Sequence, residues 1–394
     1  MTGRLANPFC DWTTDEGWLA GRRAVIDHIL AAVAEYEWSH CLALRGSMLM
    51  RTWFGDRARE PGDLDFLVLH ERLPIGEVLT DELPVDVARR AAARSRAPGS
   101  TVRIDSKVDS EETWYWSHGA FGRGWAPGMS GWRIVLSWRG NGHVGTVQVN
   151  FVTDEVICEA PRRTDVSRLG PPEASVPLHA FGREISLAWK VLWLAADAHR
   201  DGSPRATDLY DAVLLAEQCT LTRELLERAA AAAPPESDVY DYDYDEDAGR
   251  IEPSYPTLDS MVHAANDVDW TEFAIARPHL IDAHDEYVWR FAIAVAPVVD
   301  DADTLYPRLL DHCARELATV RNALAAGGMP AAELALAECG SSVVVQLVIV
   351  RELLGRTECS LQEAAKHLAA MQSVRTTNVE DLQRIATALA AHAP

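Results

Sequence analysis

The sequence predicts an α+β fold, in which a mixed-sheet domain precedes a mainly helical region. Up to about residue 160, short apolar runs typical of strands are separated by helical segments. Beyond Pro171 and Pro172, apolar residues recur mainly at helical spacing. Residues 42–69 add a third observation, an apolar run, a Gly-Ser turn, a helical segment and a second apolar run that opens with two aspartates.

The first region alternates between predicted helices and strands. Its opening helix, Gly21–Tyr36, carries Val25, Ile29 and Val33 on one face. The further predicted elements are helices at 48–54 and 84–96 and strands at 41–44, 65–69, 102–104, 132–137 and 145–152. The segment Trp114–Trp132 is rich in Gly and Trp and is predicted to be a long loop over the sheet.

The second region is predicted to be helical. Arg183–Ala198 has an apolar helical stripe, and Ser203-Pro204 is expected to open the next helix, because Ser is a good N-cap and Pro suits the first helical position. The further predicted helices are 222–233, 307–325, 331–354 and 361–371. Residues 234–256 are acidic and flanked by prolines, which predicts a flexible loop.

These elements suggest three parts. An α/β domain is predicted at 1–165, a helical lobe containing the acidic loop at 166–325, and a helical C-terminal extension at 326–394.

Composition limits the function classes. The 394 residues carry a formal net charge of −22, which argues against general coating of nucleic acid but allows a local RNA contact. A group of arginines at 89, 90, 94, 96 and 103 fits either contact with RNA or a triphosphate, or a solvated helix face. The 7 scattered cysteines and the lack of long apolar runs predict a cytoplasmic protein without a zinc site or a membrane span.

Asp63 and Asp65 are the first candidate site. Alternate residues of a strand point to one face, so both carboxylates aim at the same point. Hard oxygen ligands beside the Gly46-Ser47 turn suit a magnesium ion and a phosphate group. A lone Asp-x-Asp is more often a solvated strand end, and the surrounding strand, turn and helix favour the functional interpretation.

Lys190, Asp208 and Asp211 are the second candidate site. Lys190 lies among apolar residues of a helix, and the two aspartates share a face of the next helix. Taken alone, this pattern favours a structural role over a functional one, either a salt bridge between helices or a lysine whose charged end reaches solvent.

Together the two patterns resemble the AbiEii/AbiGii family of nucleotidyltransferase toxins, which includes mycobacterial toxins that modify tRNA. The family has a Gly-Gly or Gly-Ser turn, then Arg-x-Ser-x-Asp-x-Asp, and later a helical Lys followed by Arg-x-x-Asp-Leu-Tyr-Asp. Here these segments are Gly46-Ser47, residues 59–65 (REPGDLD), Lys190 and residues 205–211 (RATDLYD).

The resemblance implies a polymerase-β-like nucleotidyltransferase domain with a helical C-terminal lobe. It implies that Gly46, Ser47 and Arg59 bind the triphosphate, and that Asp63 and Asp65 hold Mg²⁺. It also implies that Lys190 neutralises phosphate charge, and that Asp208 completes the site, with Asp211 as a further candidate.

The sequence departs from the family pattern in three places. Pro61 replaces the usual Ser, and the loop between Gly-Ser and Asp-x-Asp is longer than usual. Asn150 stands where related enzymes place a third acid. Because an amide cannot act as a general base, either another group such as Asp208 does so, or activity is weakened or lost.

Three functions follow as hypotheses. The first is magnesium-dependent transfer of NMP from an NTP to RNA, with the tRNA 3′ end as the acceptor implied by the resemblance and a cognate antitoxin as partner. The second is nucleotidyl transfer to a protein or to a small molecule such as a cationic aminoglycoside, with which the negative charge is compatible. The third is a catalytically weakened, nucleotide-binding regulatory module, suggested by Asn150.

Overall fold

A computed structural model describes most of the chain and divides it into two units. The described residues are 15–69, 78–105, 114–115, 131–153, 156–170, 174–201, 204–232, 257–278, 284–371 and 379–393. The first unit comprises residues 1–186, 228–254 and 271–280, and the second comprises 187–227, 255–270 and 281–394. The acidic segment 234–256, Ser203 and most of the predicted loop 114–132 lie outside the described residues. The division into domains at residues 165 and 325 stays a prediction.

The first unit contains a mixed sheet. Its strands are β1 (Leu42–Arg45), β2 (Asp63–Val68), β3 (Val102–Ile104), β4 (Trp114–Tyr115), β5 (Gly131–Gly140), β6 (His143–Val152), β7 (Arg162–Ser167) and β8 (Ser175–Ala180). They lie in the order β3-β5-β6-β2-β1-β8-β7, and β4 pairs with β5 beside this path. β2 is parallel to β6 and β1 is parallel to β8, whereas β1 and β2 are antiparallel. The mixed sheet confirms the predicted α+β class.

Among the described residues, three α-helices of this unit precede β3, and all three contribute buried side chains to the core that they form with the sheet. They are α1 (Glu16–Ala34), α2 (Ser47–Phe54) and α3 (Val78–Ser95). The predicted apolar face of α1 is buried against sheet residues such as Phe66 and Val149. Asp15 caps α1, because its carboxylate accepts hydrogen bonds from the backbone N–H groups of Gly17 and Trp18 at 2.9 and 3.1 Å.

A two-residue turn joins β5 to β6. Asn141 and Gly142 have φ angles of 51° and 83°, both positive as a type I′ turn requires. The turn fixes the register of the hairpin, so that Arg133 lies opposite Asn150. Two long strands predicted separately are thus one hairpin.

β7 and β8 correct the sequence prediction, which made the chain helical beyond Pro171-Pro172 and gave no strand between residues 152 and 171. Leu178 and Ala180 alternate with more exposed residues and are buried, as a half-covered strand requires. β8 lies between β1 and β7, so its backbone groups are hydrogen-bonded on both sides. Trp114 and Tyr115 likewise form a short strand on β5, where a loop was predicted.

The later helices confirm the predicted helical region. They are α4 (Arg183–Asp201), α5 (Ala206–Ala216), α6 (Arg223–Ala232), α7 (Leu258–Asn266), α8 (Thr271–Ala276), α9 (His284–Val295), α10 (Leu305–His312), α11 (Ala314–Cys339), α12 (Val343–Leu354), α13 (Leu361–Ala370) and α14 (Val379–Ala390). α8 lies in the first unit. No helix among the described ranges is both long and apolar enough to cross a membrane.

Three predicted helix boundaries were wrong. α5 begins at Ala206 with Arg205 at its N-cap, and not at Ser203-Pro204. The predicted helix 307–325 is interrupted at Cys313, which separates α10 from α11. The predicted helix 331–354 is broken at Gly340, whose left-handed φ of 63° ends α11, and Ser342 then caps α12.

The C-terminal helices α12 and α14 pack against α9. In the first turn of α9, Glu286 accepts a hydrogen bond from Val343 N at 2.7 Å, and Asp285 accepts one from Ser342 N at 3.2 Å. Carboxylates at this point stabilise the start of α12, because the N-terminus of a helix carries partial positive charge. Glu217, which follows α5, is paired with Arg290 of α9 and lies 3.5 Å from Arg384 of α14.

Candidate functional site

Gly46 connects β1 to α2 with a backbone that favours glycine. Its φ is 81° and its ψ is −154°, a region that residues with a side chain rarely adopt. A Cβ atom at this position would lie 2.8 Å from Asp65 Oδ2. The absence of a side chain therefore lets the turn approach the carboxylate of Asp65 closely.

Ser47 is the first residue of α2 and is 3% exposed. Its hydroxyl has no hydrogen-bond partner among the described residues. A buried hydroxyl normally has such a partner, and the N-terminus of a helix favours an anion. A phosphate oxygen bound at the start of α2 would supply the missing acceptor.

The paired carboxylates of β2 converge as predicted. Asp65 lies opposite Asn150 of the parallel strand β6. The Asn150 Nδ2 group donates hydrogen bonds to Asp65 Oδ1 at 2.7 Å and to Asp63 Oδ2 at 3.3 Å. Both aspartates are thus within reach of one amide nitrogen.

Arg133 fixes the orientation of that amide. Its Nε donates to Asn150 Oδ1 at 2.9 Å, and the Gln148 amide lies 2.9 Å from the same oxygen. Burial lowers the pKa of Arg133, and the nearby charges of Asp63 and Asp65 oppose this shift. A cation therefore stands behind the amide that faces the two acids.

Two arginines of α1 hold the loop that leads into β2. Arg22 donates to the carbonyl oxygens of Pro61, at 2.5 Å, and of Gly62. Arg23 is paired with Glu60. Arg59, predicted to bind nucleotide, is also buried, at 9% exposure. The residues immediately before Asp63 are therefore firmly positioned, including the proline that replaces the serine of the family pattern.

The donor set of this unit suits a hard divalent cation. Asp63 and Asp65 would supply two anionic oxygen ligands to such an ion, and Gly46 leaves space beside the carboxylate of Asp65. Within the described part of the chain, no group of three or more His, Cys, Asp and Glu side chains is placed to hold a metal. Asn150 stands where related enzymes place a third acid, so this site has two acids in place of three.

Lys190 and the two aspartates of α5 form a buried cluster in the second unit. Lys190 Nζ lies 2.6 Å from Asp208 Oδ1 and 3.1 Å from Asp211 Oδ2. Lys190 is 5% exposed and Asp211 is fully buried. The ammonium also lies 5.2 Å from the centroid of the Trp193 ring.

This cluster meets the expectation of an ion pair between helices. One ammonium is shared by two carboxylates, so its charge is compensated within α4 and α5. The structure thus brings Asp63, Asp65 and Asn150 together in the first unit, and Lys190, Asp208 and Asp211 together in the second.

The arginine group on and after α3 makes mainly intramolecular contacts. Arg94 is paired with Glu35 at 2.6 Å and Arg89 with Asp86 at 2.5 Å. Arg103 donates to the Ser95 carbonyl at 2.6 Å. These contacts favour a solvated structural face over an RNA-binding patch.

Arg133 and Gln148 were not identified from the sequence as site residues. The signal that could have found them is Asn141-Gly142, a dipeptide typical of a two-residue hairpin turn. Counting outward from that turn pairs Arg133 with Asn150.

The mixed sheet and the paired aspartates beside a Gly-Ser turn are consistent with a nucleotidyltransferase. A family model described as "Nucleotidyl transferase AbiEii toxin, Type IV TA system" matches residues 28–296, well over half of the chain. The chain therefore belongs to the AbiEii family of nucleotidyl transferase toxins of type IV toxin–antitoxin systems. No curated protein and no solved structure matches it.

Proposed function

We propose that the protein is a magnesium-dependent nucleotidyltransferase of the cytoplasm that transfers NMP from an NTP to RNA, with the tRNA 3′ end as acceptor. Membership of the AbiEii family supports nucleotidyl transfer and a toxin role with a cognate antitoxin. The RNA acceptor rests on the resemblance to tRNA-modifying toxins.

The observation that carries this proposal is the buried Ser47 hydroxyl, which has no acceptor among the described residues, at the start of α2. It lies one residue from the glycine that approaches Asp65. A group that both accepts from a hydroxyl and binds a divalent cation fits this place, and a triphosphate has both properties.

The protein's own groups can position and neutralise the substrate. Asp63 and Asp65 would hold Mg²⁺, which when bound would neutralise negative charge on the phosphates of the NTP. Ser47 and the first backbone N–H groups of α2 donate to the phosphates. We further propose that Lys190 serves the same reaction by stabilising negative charge on the departing pyrophosphate.

Asn150 keeps the carboxylates in place but cannot take up the proton of an attacking hydroxyl, because an amide is not a base at neutral pH. We propose that a carboxylate accepts it, with Asp208 as the candidate. Asp211 is fully buried against Lys190, which favours a supporting role.

The test offers labelled NTPs to the protein with tRNA, a protein lysate and aminoglycosides in parallel. We expect label on tRNA, a strict need for a divalent cation, and a loss of at least about a hundredfold in Asp63→Asn and Asp65→Asn, because each removes a charged ligand. Asp165→Asn, on the exposed side of β7, is the matched control and should retain activity. Label on the lysate or the aminoglycoside alone would replace the RNA acceptor with the second hypothesis.

A specific observation favours a second candidate, a nucleotide-binding module without turnover. Asn150 replaces a third acid, and its amide is held toward Asp63 and Asp65 by Arg133. Divalent-dependent triphosphate binding that leaves every acceptor unlabelled would support this candidate over the enzyme.

A further inference from the structure

Arg133 and Asn150 form a relay that ends on both carboxylates of β2. Arg133 Nε donates to Asn150 Oδ1 at 2.9 Å, and Asn150 Nδ2 donates to Asp65 Oδ1 at 2.7 Å and Asp63 Oδ2 at 3.3 Å. Asn150 is fully buried. The guanidinium holds the amide oxygen toward itself, so the amide presents only hydrogen atoms to the acids.

This relay opposes the binding of a free divalent cation in two ways. An ion that approaches Asp65 must displace the hydrogen bond from Asn150, or share the carboxylate with it. It also meets the positive charge of Arg133 in a partly buried place, where charges interact more strongly than in water. A third acid at position 150 would have acted in the opposite direction, by adding a negative ligand.

A triphosphate changes this balance. It brings several negative charges, which neutralise the ion and are attracted by the guanidinium. The same arginine that opposes a bare ion therefore favours an ion that arrives together with a triphosphate.

We propose that Arg133 is an internal counter-cation of the Asp63–Asp65 pair. Acting through Asn150, it keeps the nucleotide-free protein from binding divalent ions tightly and makes the ion–triphosphate complex the form that binds. Arg133 is a positioning residue in this role. The inference rests on the proposed function, in which these two aspartates hold the metal.

The test measures Mn²⁺ binding by the EPR signal of the free ion, with and without a non-hydrolysable NTP analogue. Without nucleotide, we expect Arg133→Met to bind Mn²⁺ about tenfold more tightly than the wild type, since it removes a repulsive charge. Asn150→Asp should also tighten binding, and Arg133→Lys should stay close to the wild type because the charge is kept. Arg139→Met, on the same face of β5 but at its exposed end, is the matched control and should change nothing.

The wild type should bind Mn²⁺ more tightly when the analogue is present, and Arg133→Met should show less of this gain. The inference is overturned if Arg133→Met binds free Mn²⁺ no more tightly than the wild type while circular dichroism shows that it is folded. Should Arg133→Met fail to fold, Asn150→Asp decides by the same criterion. If Asp63→Asn and Asp65→Asn leave Mn²⁺ binding unchanged, with and without the analogue, the proposed metal site itself is wrong and the inference fails with it.

Discussion

Replacing Gly46 by alanine tests the link between the turn and the carboxylate site. The new Cβ would lie 2.8 Å from Asp65 Oδ2, so either the carboxylate or the turn must move. We expect Gly46→Ala to lose most of its affinity for an NTP with Mg²⁺, because the phosphate-binding end of α2 and Asp65 can no longer approach each other.

The cost to stability has a separate source. At φ 81° and ψ −154° a residue with a side chain is strained, which costs about 1–3 kcal/mol. For a unit of this size, each kcal/mol lowers the melting temperature by about 2–4 °C. The close contact with Asp65 adds to this loss of stability. It also affects the rate, because a displacement of about 1 Å at a reacting centre can reduce catalysis by about a hundredfold.

Gly55 provides the matched control at the other end of α2. Its φ is also positive, at 55°, but a Cβ there would have no neighbour within 4 Å in the described parts of the chain. Gly55→Ala should therefore lose stability and keep NTP binding. Calorimetric NTP titrations and thermal melts of both variants separate the two effects. If Gly46→Ala binds NTP as well as Gly55→Ala does, the argument from the close approach is refuted.

Two further predictions concern buried charges. Lys190→Met removes the ammonium that Asp208 and Asp211 share, so urea titration should show a loss of about 3–5 kcal/mol in the free energy of unfolding. The double variant Lys190→Met with Asp211→Asn should regain part of this loss, whereas a loss below about 1 kcal/mol in Lys190→Met would contradict the buried ion pair. Burial lowers the pKa of His28 below 6.5, and the charges of Arg94, Arg168 and Arg103 act in the same direction. The unfolded chain then takes up the proton more readily, so this contribution to stability is complete above pH 6.5 and is lost as the pH falls through the lowered pKa. His28→Asn should flatten that part of the pH profile, and an unchanged profile would show that another group is responsible.

The sequence was sufficient for elements with a strong local signal. The apolar face of α1 and the long strands β5 and β6 are defined by their own residues. β7 was missed because Val166 is the only buried residue of this edge strand, so its sequence has little apolar periodicity to detect. β8 depends on its pairing with β1 and β7, which its sequence alone does not specify.

The candidate site also has one feature that nearby residues in the sequence define and one that depends on how strands pair. The close approach of Gly46 to Asp65 follows from a turn and a strand pattern that lie within 20 residues of each other. The role of Arg133 depends on the register between two strands, and a shift by one residue would turn its side chain to the other face. That register is set by the Asn141-Gly142 turn, so the pairing of Arg133 with Asn150 is determined by residues of the hairpin that lie far from both of them.

The contact of α9 with the last helices bears on how this protein should be produced in the laboratory. The match to the family ends at residue 296, just beyond α9, whereas Asp285 and Glu286 of that helix anchor the start of α12. A shortened polypeptide that stopped at the match would uncover apolar surface on α9 and remove Arg384 from beside Glu217. Expression trials should therefore retain the helices through α14, because the segment matched by the family model is shorter than the part of the chain that packs together around α9.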